Sequence, residues 1–276
     1  MMNADFFYTN AFGRGVLKIM LKAHMFKPVA WYLHTKASKR MISRYIQKNG
    51  IDMRPYGDRV YSSFADFFSR RRAYDFSADK KTLIAPCDSF LSAYDITPEL
   101  EMPIKGSLYT VEDLVPDRET AGKFKDGLAL VFRLEASDYH HFCFFDDGKI
   151  LKTGFIPGSL HSVQPIALRH FPVFRLNRRW WSVFETEHFG TAVQTEIGAM
   201  AVGGITFAEG KENFSRGEEM GNFELAGSTI VALLTAEVKS RLNMDIVGVK
   251  TGPCDPKADE VRVTIGSAIG VLKDED

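Results

Sequence analysis

The sequence predicts an α+β protein, with basic amphipathic helices at the N-terminus followed by a mainly antiparallel β domain of sandwich or barrel-like form. Three observations predict it. Before about residue 50, charged and apolar residues recur at helical spacing. From about Thr82 onward the chain breaks into short apolar runs separated by turns, and no long helical period appears after Arg72. A chain of 276 residues, 45% of them hydrophobic, can bury one large domain with a small appendage. The division expected is a helical segment over residues 1–75 and a β-rich domain over 76–276.

The N-terminal segment is strongly basic although the whole chain has a formal net charge of zero. Arg14, Lys18, Lys22, Lys27, Lys36, Lys39, Arg40, Arg44 and Lys48 face a single acid, Asp5, in the first 50 residues. Arg14, Lys18 and Lys22 fall on one helical stripe, with Val16, Leu17, Met20, Ala23 and Phe26 mostly on other faces. Pro28 is expected to stop this helix near Phe26. A second helix is expected with Met41, Ile42, Tyr45 and Ile46 as its apolar face and Gly50 after its end. With Trp31 and Tyr32 nearby, the pattern suits a helix lying on an anionic membrane; it suits equally a helix pair packed on the core with its lysines in water. The neutral total gives no sign of a nucleic-acid partner.

Ser63 and Asp66 have capping-box spacing, which starts a short helix. Strands are expected at 128–134, 139–145, 149–155, 180–184, 191–198, 201–207, 228–234 and 261–271. Asp146-Asp147-Gly148 is read as a hairpin turn between two of them, and Gly203-Gly204 as a bend. Cys87, Cys143 and Cys254 are widely spaced, without metal-ligand spacing, so a reduced compartment and no metal are expected. No secretory signal and no run long enough for a transmembrane helix is evident.

The chemistry is concentrated in one stretch, Ser215-Arg216-Gly217-Glu218-Glu219-Met220-Gly221-Asn222-Phe223, running through Glu224, Leu225 and Ala226 into Gly227-Ser228-Thr229 and the apolar run Ile230 to Leu234. A serine hydroxyl beside a glycine carbonyl can attack it once a base takes its proton. The whole stretch resembles the C-terminal signature of the phosphatidylserine decarboxylases, with Ala226 where the family has Leu or Gly. The resemblance implies self-cleavage between Gly227 and Ser228 into chains 1–227 and 228–276, and conversion of Ser228 to a pyruvoyl group.

Other segments extend the resemblance from about Ser63 to Leu234. Phe64-x-x-Phe67-Phe68-x-Arg70 is similar to a family pattern just ahead of the catalytic domain, although its aromatics can simply be core. Ala85-Pro86-Cys87-Asp88-Ser89 resembles the family's Pro-x-Asp-Gly, with Ser89 for Gly. It implies that Asp88 orients a histidine which deprotonates the serine. Asp138-Tyr139-His140-His141-Phe142-Cys143 resembles Asp-Tyr-His-Arg-x-His. His140 matches the histidine that handles the proton of decarboxylation, while Cys143 stands where the partner histidine of the acid is usual. Gly158 to Gln164 resembles a further segment and offers His161 as the substitute for that missing histidine. Asn177-Arg178-Arg179 and Val193 to Ile205 complete the match.

The resemblance thus implies decarboxylation of phosphatidylserine to phosphatidylethanolamine through a Schiff base on a self-made pyruvoyl group, by a peripheral protein on the cytoplasmic face of an anionic membrane, with homodimers of processed units. The carbanion left by loss of carbon dioxide needs an electrophilic carbonyl as electron sink, which no ordinary side chain supplies. The alternatives are a pyruvoyl decarboxylase of another amine-bearing substrate and an unprocessed lipid-binding homologue.

Overall fold

The computed structural model describes residues 10, 12, 13, 15, 27–97, 102–104, 107–109, 111–158, 177–198, 204–207, 210–224, 228–250 and 260–274. The proposed stripe of Arg14, Lys18 and Lys22 and its end at Phe26 lie outside these residues. Helix α1, Lys27–His34, carries Pro28 in its first turn, where a missing N–H costs nothing; the proline opens this helix. A 3₁₀ turn, Lys36–Met41, leads into α2, Ile42–Asn49, which ends at Gly50 with φ +61°. Such a left-handed cap favours glycine. Helix α3, Phe64–Phe68, begins at Ser63, whose Oγ accepts from the N–H of Asp66 at 3.1 Å. The Asp66 carboxylate reaches back one residue further than a reciprocal box would, to the N–H of Ser62 at 2.7 Å.

These helices share a small core of Leu33, Tyr61, Phe64, Ala65, Phe67 and Phe68, against which Ile42, Tyr45 and Ile46 pack. Ser38 links its halves: its buried hydroxyl donates to the carbonyls of Leu33 and Thr35 and accepts the N–H of Phe64. Met41, expected on the apolar face, is exposed.

The strands that follow are β1 Thr82–Ile84, β2 Ser89–Asp95, β3 Met102–Ile104, β4 Ser107–Tyr109, β5 Leu128–Arg133, β6 His141–Cys143, β7 Gly148–Ile156, β8 Arg179–Thr186, β9 Thr191–Ile197, β10 Gly204–Phe207, β11 Asn213–Phe214, β12 Glu219–Glu224, β13 Thr229–Leu234, β14 Leu242–Asn243, β15 Val249–Lys250, β16 Val261–Val263 and β17 Ala268–Leu272. Short helices α4, Val111–Leu114, and α5, Arg118–Gly122, precede β5, and α6, Ala236–Arg241, follows β13.

One large sheet has the order β11-β7-β8-β9-β13-β5-β2-β15, with β16 also on β2. Its pairs are antiparallel apart from β15 with β2. Among the described residues the sheet is open, which corrects the barrel-like form: its end strands β11 and β15 are two residues each and do not pair with one another. One of its faces, with Leu128, Leu130, Phe132, Ile230, Ala232 and Leu234, packs on the sheets β10-β12-β6 and β1-β17-β14, forming the main core with Phe142, Met220, Phe223, Leu83 and Ile269.

One turn and one strand expectation are corrected. Asp146-Asp147-Gly148 is not a hairpin, because β6 pairs with β12 while β7 pairs with β8 and β11. The turn carries the chain between sheets, and the buried Asp146 carboxylate accepts from the His188 backbone N–H and contacts its ring. The run 261–271 is two strands, split where Gly266 takes φ +81°.

Candidate active site

Strand β13 lies in the middle of the large sheet, between β5 and β9. Its residues Ile230–Leu234 are apolar and the whole strand is buried, as suits a β-branched, apolar strand covered on both faces. Thr229 is the first paired residue. It stands in a row running Ile156, Arg179, Ile197, Thr229, Arg133 and Phe90 across six strands. Ser228 sits at the entry to the strand, 2% exposed, and its carbonyl accepts the N–H of Leu134 at 2.9 Å. Asp88 precedes β2 at the same end of the sheet. Only β5 separates β2 from β13, so their backbones lie about 10 Å apart.

The segment leaving β5, residues 134–140, links Ser228 to the histidine motif. Leu134 holds the Ser228 carbonyl, and four residues on Asp138 folds its carboxylate back onto the N–H of Glu135 at 2.7 Å. Asp138 also accepts from Arg262 at 2.6 Å; burial raises its pKa against that pairing. His140 is fully buried, with Nδ1 2.9 Å from the Asp138 carbonyl and its ring 4.3 Å from that of Phe68. A carbonyl can only accept, so Nδ1 carries a proton, and the neutral tautomer this contact selects is the one with its lone pair on Nε2. The backbone carbonyl of His140 accepts from Phe223 N–H, which docks the motif onto β12.

Three consecutive arginines after α3 reach three parts of this region. Arg70, 1% exposed, donates from one nitrogen to the carbonyls of Ser137 and Asp138 at 2.9 and 3.2 Å. Arg71 pairs with Glu219 at 2.8 Å, and Glu219 in turn lies 3.2 Å from His141 Nδ1. Arg72 bonds both carboxylate oxygens of Asp88 at 2.8 Å and lies over the Tyr139 ring. Asp88 also accepts the Ile265 N–H at 2.9 Å. Its partners among the described residues are therefore an arginine and a backbone amide. A triple-arginine run reads in sequence as a solvated charge cluster, so this role carried no signal.

Cys143 is fully buried, and burial pushes its thiol up to about 12, so it stays protonated and cannot serve as a base. His141 is also buried; desolvation holds its imidazole below the ordinary value despite Glu219. Glu196, on β9 opposite Ile230, is fully buried and pushed up to about 8 by desolvation. It is a neutral acid at pH 7, with Oε1 accepting from Gln194. Glu196 was embedded in the matched core segment, where nothing in the letters marked it as ionisable and buried. His161 and Gly227 lie outside the described residues.

The family model for phosphatidylserine decarboxylase matches residues 63–270. The chain is 37% identical over 273 residues to a phosphatidylserine decarboxylase proenzyme 2 of Clostridium acetobutylicum, covering 98% of this chain and 91% of that protein. It is 34% identical over 275 residues to a phosphatidylserine decarboxylase proenzyme of Ruminiclostridium cellulolyticum, covering 95% and 89%. A proenzyme of the same description from Clostridium kluyveri is 34% identical over 274 residues, covering 96% and 90%.

Proposed function

The chain belongs to the phosphatidylserine decarboxylase family, and from that membership we infer that it is a carboxy-lyase converting phosphatidylserine to phosphatidylethanolamine; we propose that Ser228 supplies its cofactor, a pyruvoyl group. The observation that carries the proposal is the placement of Ser228. It is buried at the mouth of a central strand, its carbonyl is fixed by Leu134, and the bond to Gly227 precedes the first ladder pair. Cleavage there would leave the pairs of β13, which begin at Thr229, intact, so the residues fit a group made in place.

In maturation, Ser228 Oγ loses its proton to a base and attacks the Gly227 carbonyl. The amide C–N bond breaks as an ester forms. Elimination then breaks the Cβ–O bond, leaving the large chain as a carboxylate at Gly227; water replaces the nitrogen of residue 228, which departs as ammonia. We assign the base to His161, since the thiol at Cys143 is protonated, and the orienting carboxylate to Asp88, itself fixed by Arg72. Once formed, a pyruvoyl carbonyl supplies the electron sink that decarboxylation needs. His140 holds its proton on Nδ1 and moves one through Nε2, its ring fully buried against Phe68.

We further propose that residues 1–75 form a membrane-docking segment and 76–276 the catalytic domain. Lys36, Lys39, Arg40 and Arg44 are exposed in the helical region, and Trp31 beside them is 72% exposed. Basic side chains with an exposed indole suit the surface of an anionic bilayer on the cytoplasmic face. Among the described residues no helix is long and apolar enough to cross a membrane. Processed units would pair as homodimers, a proposal supported by the resemblance alone. Intact-mass measurement of purified protein tests the central claim: two chains are expected, ending at Gly227 and starting with pyruvoyl at 228. A single unmodified chain that nonetheless decarboxylates phosphatidylserine would refute it.

A further inference from the structure

We infer that Arg70 is a positioning residue that fixes which ring nitrogen of His140 carries the proton. The inference rests on the reading of His140 above and adds the group that sets it. The Asp138 carbonyl accepts from two donors, His140 Nδ1 at 2.9 Å and Arg70 Nη2 at 3.2 Å. The same Arg70 nitrogen also donates to the carbonyl of Ser137 at 2.9 Å. Just before them, Ala136 gives its carbonyl to the Tyr45 hydroxyl at 2.6 Å. Three successive carbonyls of one irregular segment are thus held by side chains of the N-terminal helical region.

The arginine is built for this position. It is 1% exposed, and its guanidinium lies 4.9 Å from the Tyr56 ring and 5.0 Å from the Phe67 ring, which hold its plane. Phe67 and Phe68 belong to α3, so the helix that supplies the face against His140, through Phe68, is followed two residues on by the arginine that holds its acceptor. Without the arginine, residues 136–138 lose two of these three tethers. The peptide at 138 can then turn, and Nδ1 loses its acceptor. An imidazole without that acceptor exchanges between tautomers, and only one of them presents a lone pair at Nε2.

The test uses the Ser228→Ala precursor labelled with 15N-histidine, with His140 assigned by the resonance lost in His140→Gln. The precursor is expected to show protonated Nδ1 and unprotonated Nε2 at His140. Adding Arg70→Met should give mixed tautomers. Arg70→Lys, whose ammonium can still donate to both carbonyls, should restore most of the original state. In the self-cleaving chain, Arg70→Met should lower kcat about 10- to 100-fold with KM changed less than about 3-fold, and Arg70→Lys should fall between it and wild type. An unchanged His140 tautomer in Arg70→Met overturns the inference whatever the activity does. If that variant does not fold, Arg70→Gln, too short to reach both carbonyls, is read in its place: an unchanged His140 tautomer overturns the inference, and mixed tautomers support it. Wild-type turnover in His140→Ala would instead refute the catalytic reading of His140, while the tautomer spectra would still judge the hold of Arg70.

Discussion

Leu134 donates its backbone N–H to the carbonyl of Ser228 at 2.9 Å, so the residue that enters the central strand is fixed from the side opposite its own N-terminal bond. That arrangement holds residue 228 still, one residue ahead of the first pair of β13 at Thr229. Ser228→Ala is therefore expected to fold normally, remain one chain on a denaturing gel and show no decarboxylation. Two chains from this variant, split at the same bond, would show that another residue is the nucleophile.

Cleavage rates separate the candidate bases. A thiol held at about 12 donates nothing to a proton-transfer role, so Cys143→Ala should cleave within about 3-fold of the wild-type rate while losing about 1 kcal/mol of stability. His161→Ala and Asp88→Asn should slow cleavage by about 100-fold or more, and His140→Ala should yield cleaved but poorly active protein. Time courses of precursor processing after synthesis check these outcomes; normal processing of His161→Ala with a blocked His140→Ala would make His140 the base.

Glu196 imposes a pH dependence on stability. Its folded pKa, about 8, lies above the ordinary 4.5, so between those values the folded chain keeps a proton that the unfolded chain has released. Stability contributed by this group is complete below about pH 4.5 and is lost as pH rises towards 8. Glu196→Gln, neutral and nearly isosteric, should flatten that decline, gaining roughly 2–4 kcal/mol over wild type between pH 5 and pH 8. Urea denaturation of the Ser228→Ala chain at the two pH values measures it; parallel losses in both proteins would place the dependence elsewhere.

Membrane docking is testable without deleting helices that pack in the small core. Lys36, Lys39 and Arg44 are exposed, so replacing all three by Glu should leave precursor cleavage intact. At about 1 kcal/mol per basic residue, binding to anionic vesicles should weaken on the order of 100-fold at low salt. Unchanged flotation would remove this surface from consideration.

Strand β13 was legible because an apolar run flanked by a Gly-Ser-Thr step reads the same whichever neighbours it has. Strand β12 was legible only as a motif. Its Gly221 has no strand propensity, yet a Cβ there would come 2.2 Å from the Thr206 carbonyl and 2.8 Å from the Phe142 ring, so close approach of strands explains the residue. The Asp146-Asp147-Gly148 turn misled because turn chemistry fixes a local reversal, while the partner of each strand depends on the packing of two sheets. Arg70 stood in a family-like pattern, but the partners of Arg70, Arg71 and Arg72 were illegible for a similar reason: they are 67 and 68, 148, and 16 residues away, beyond any spacing rule.

The position of β13 has a consequence for the history of the molecule. A cut at 227–228 puts β13 to β17 in the small chain, while β5, β9, β1 and β2, with which they pair, remain in the large one. Two polypeptides are then woven into one sheet, and neither can keep its own fold without the other. The precursor finds this arrangement as a single chain, whereas denatured products must first meet, and the small one must thread a strand between two others. Processing at this bond would therefore act as a ratchet: the protein would keep a shape it could no longer readily find. Diluting urea-unfolded material should restore the Ser228→Ala chain at a rate independent of concentration and the processed protein poorly, with a yield that rises with concentration.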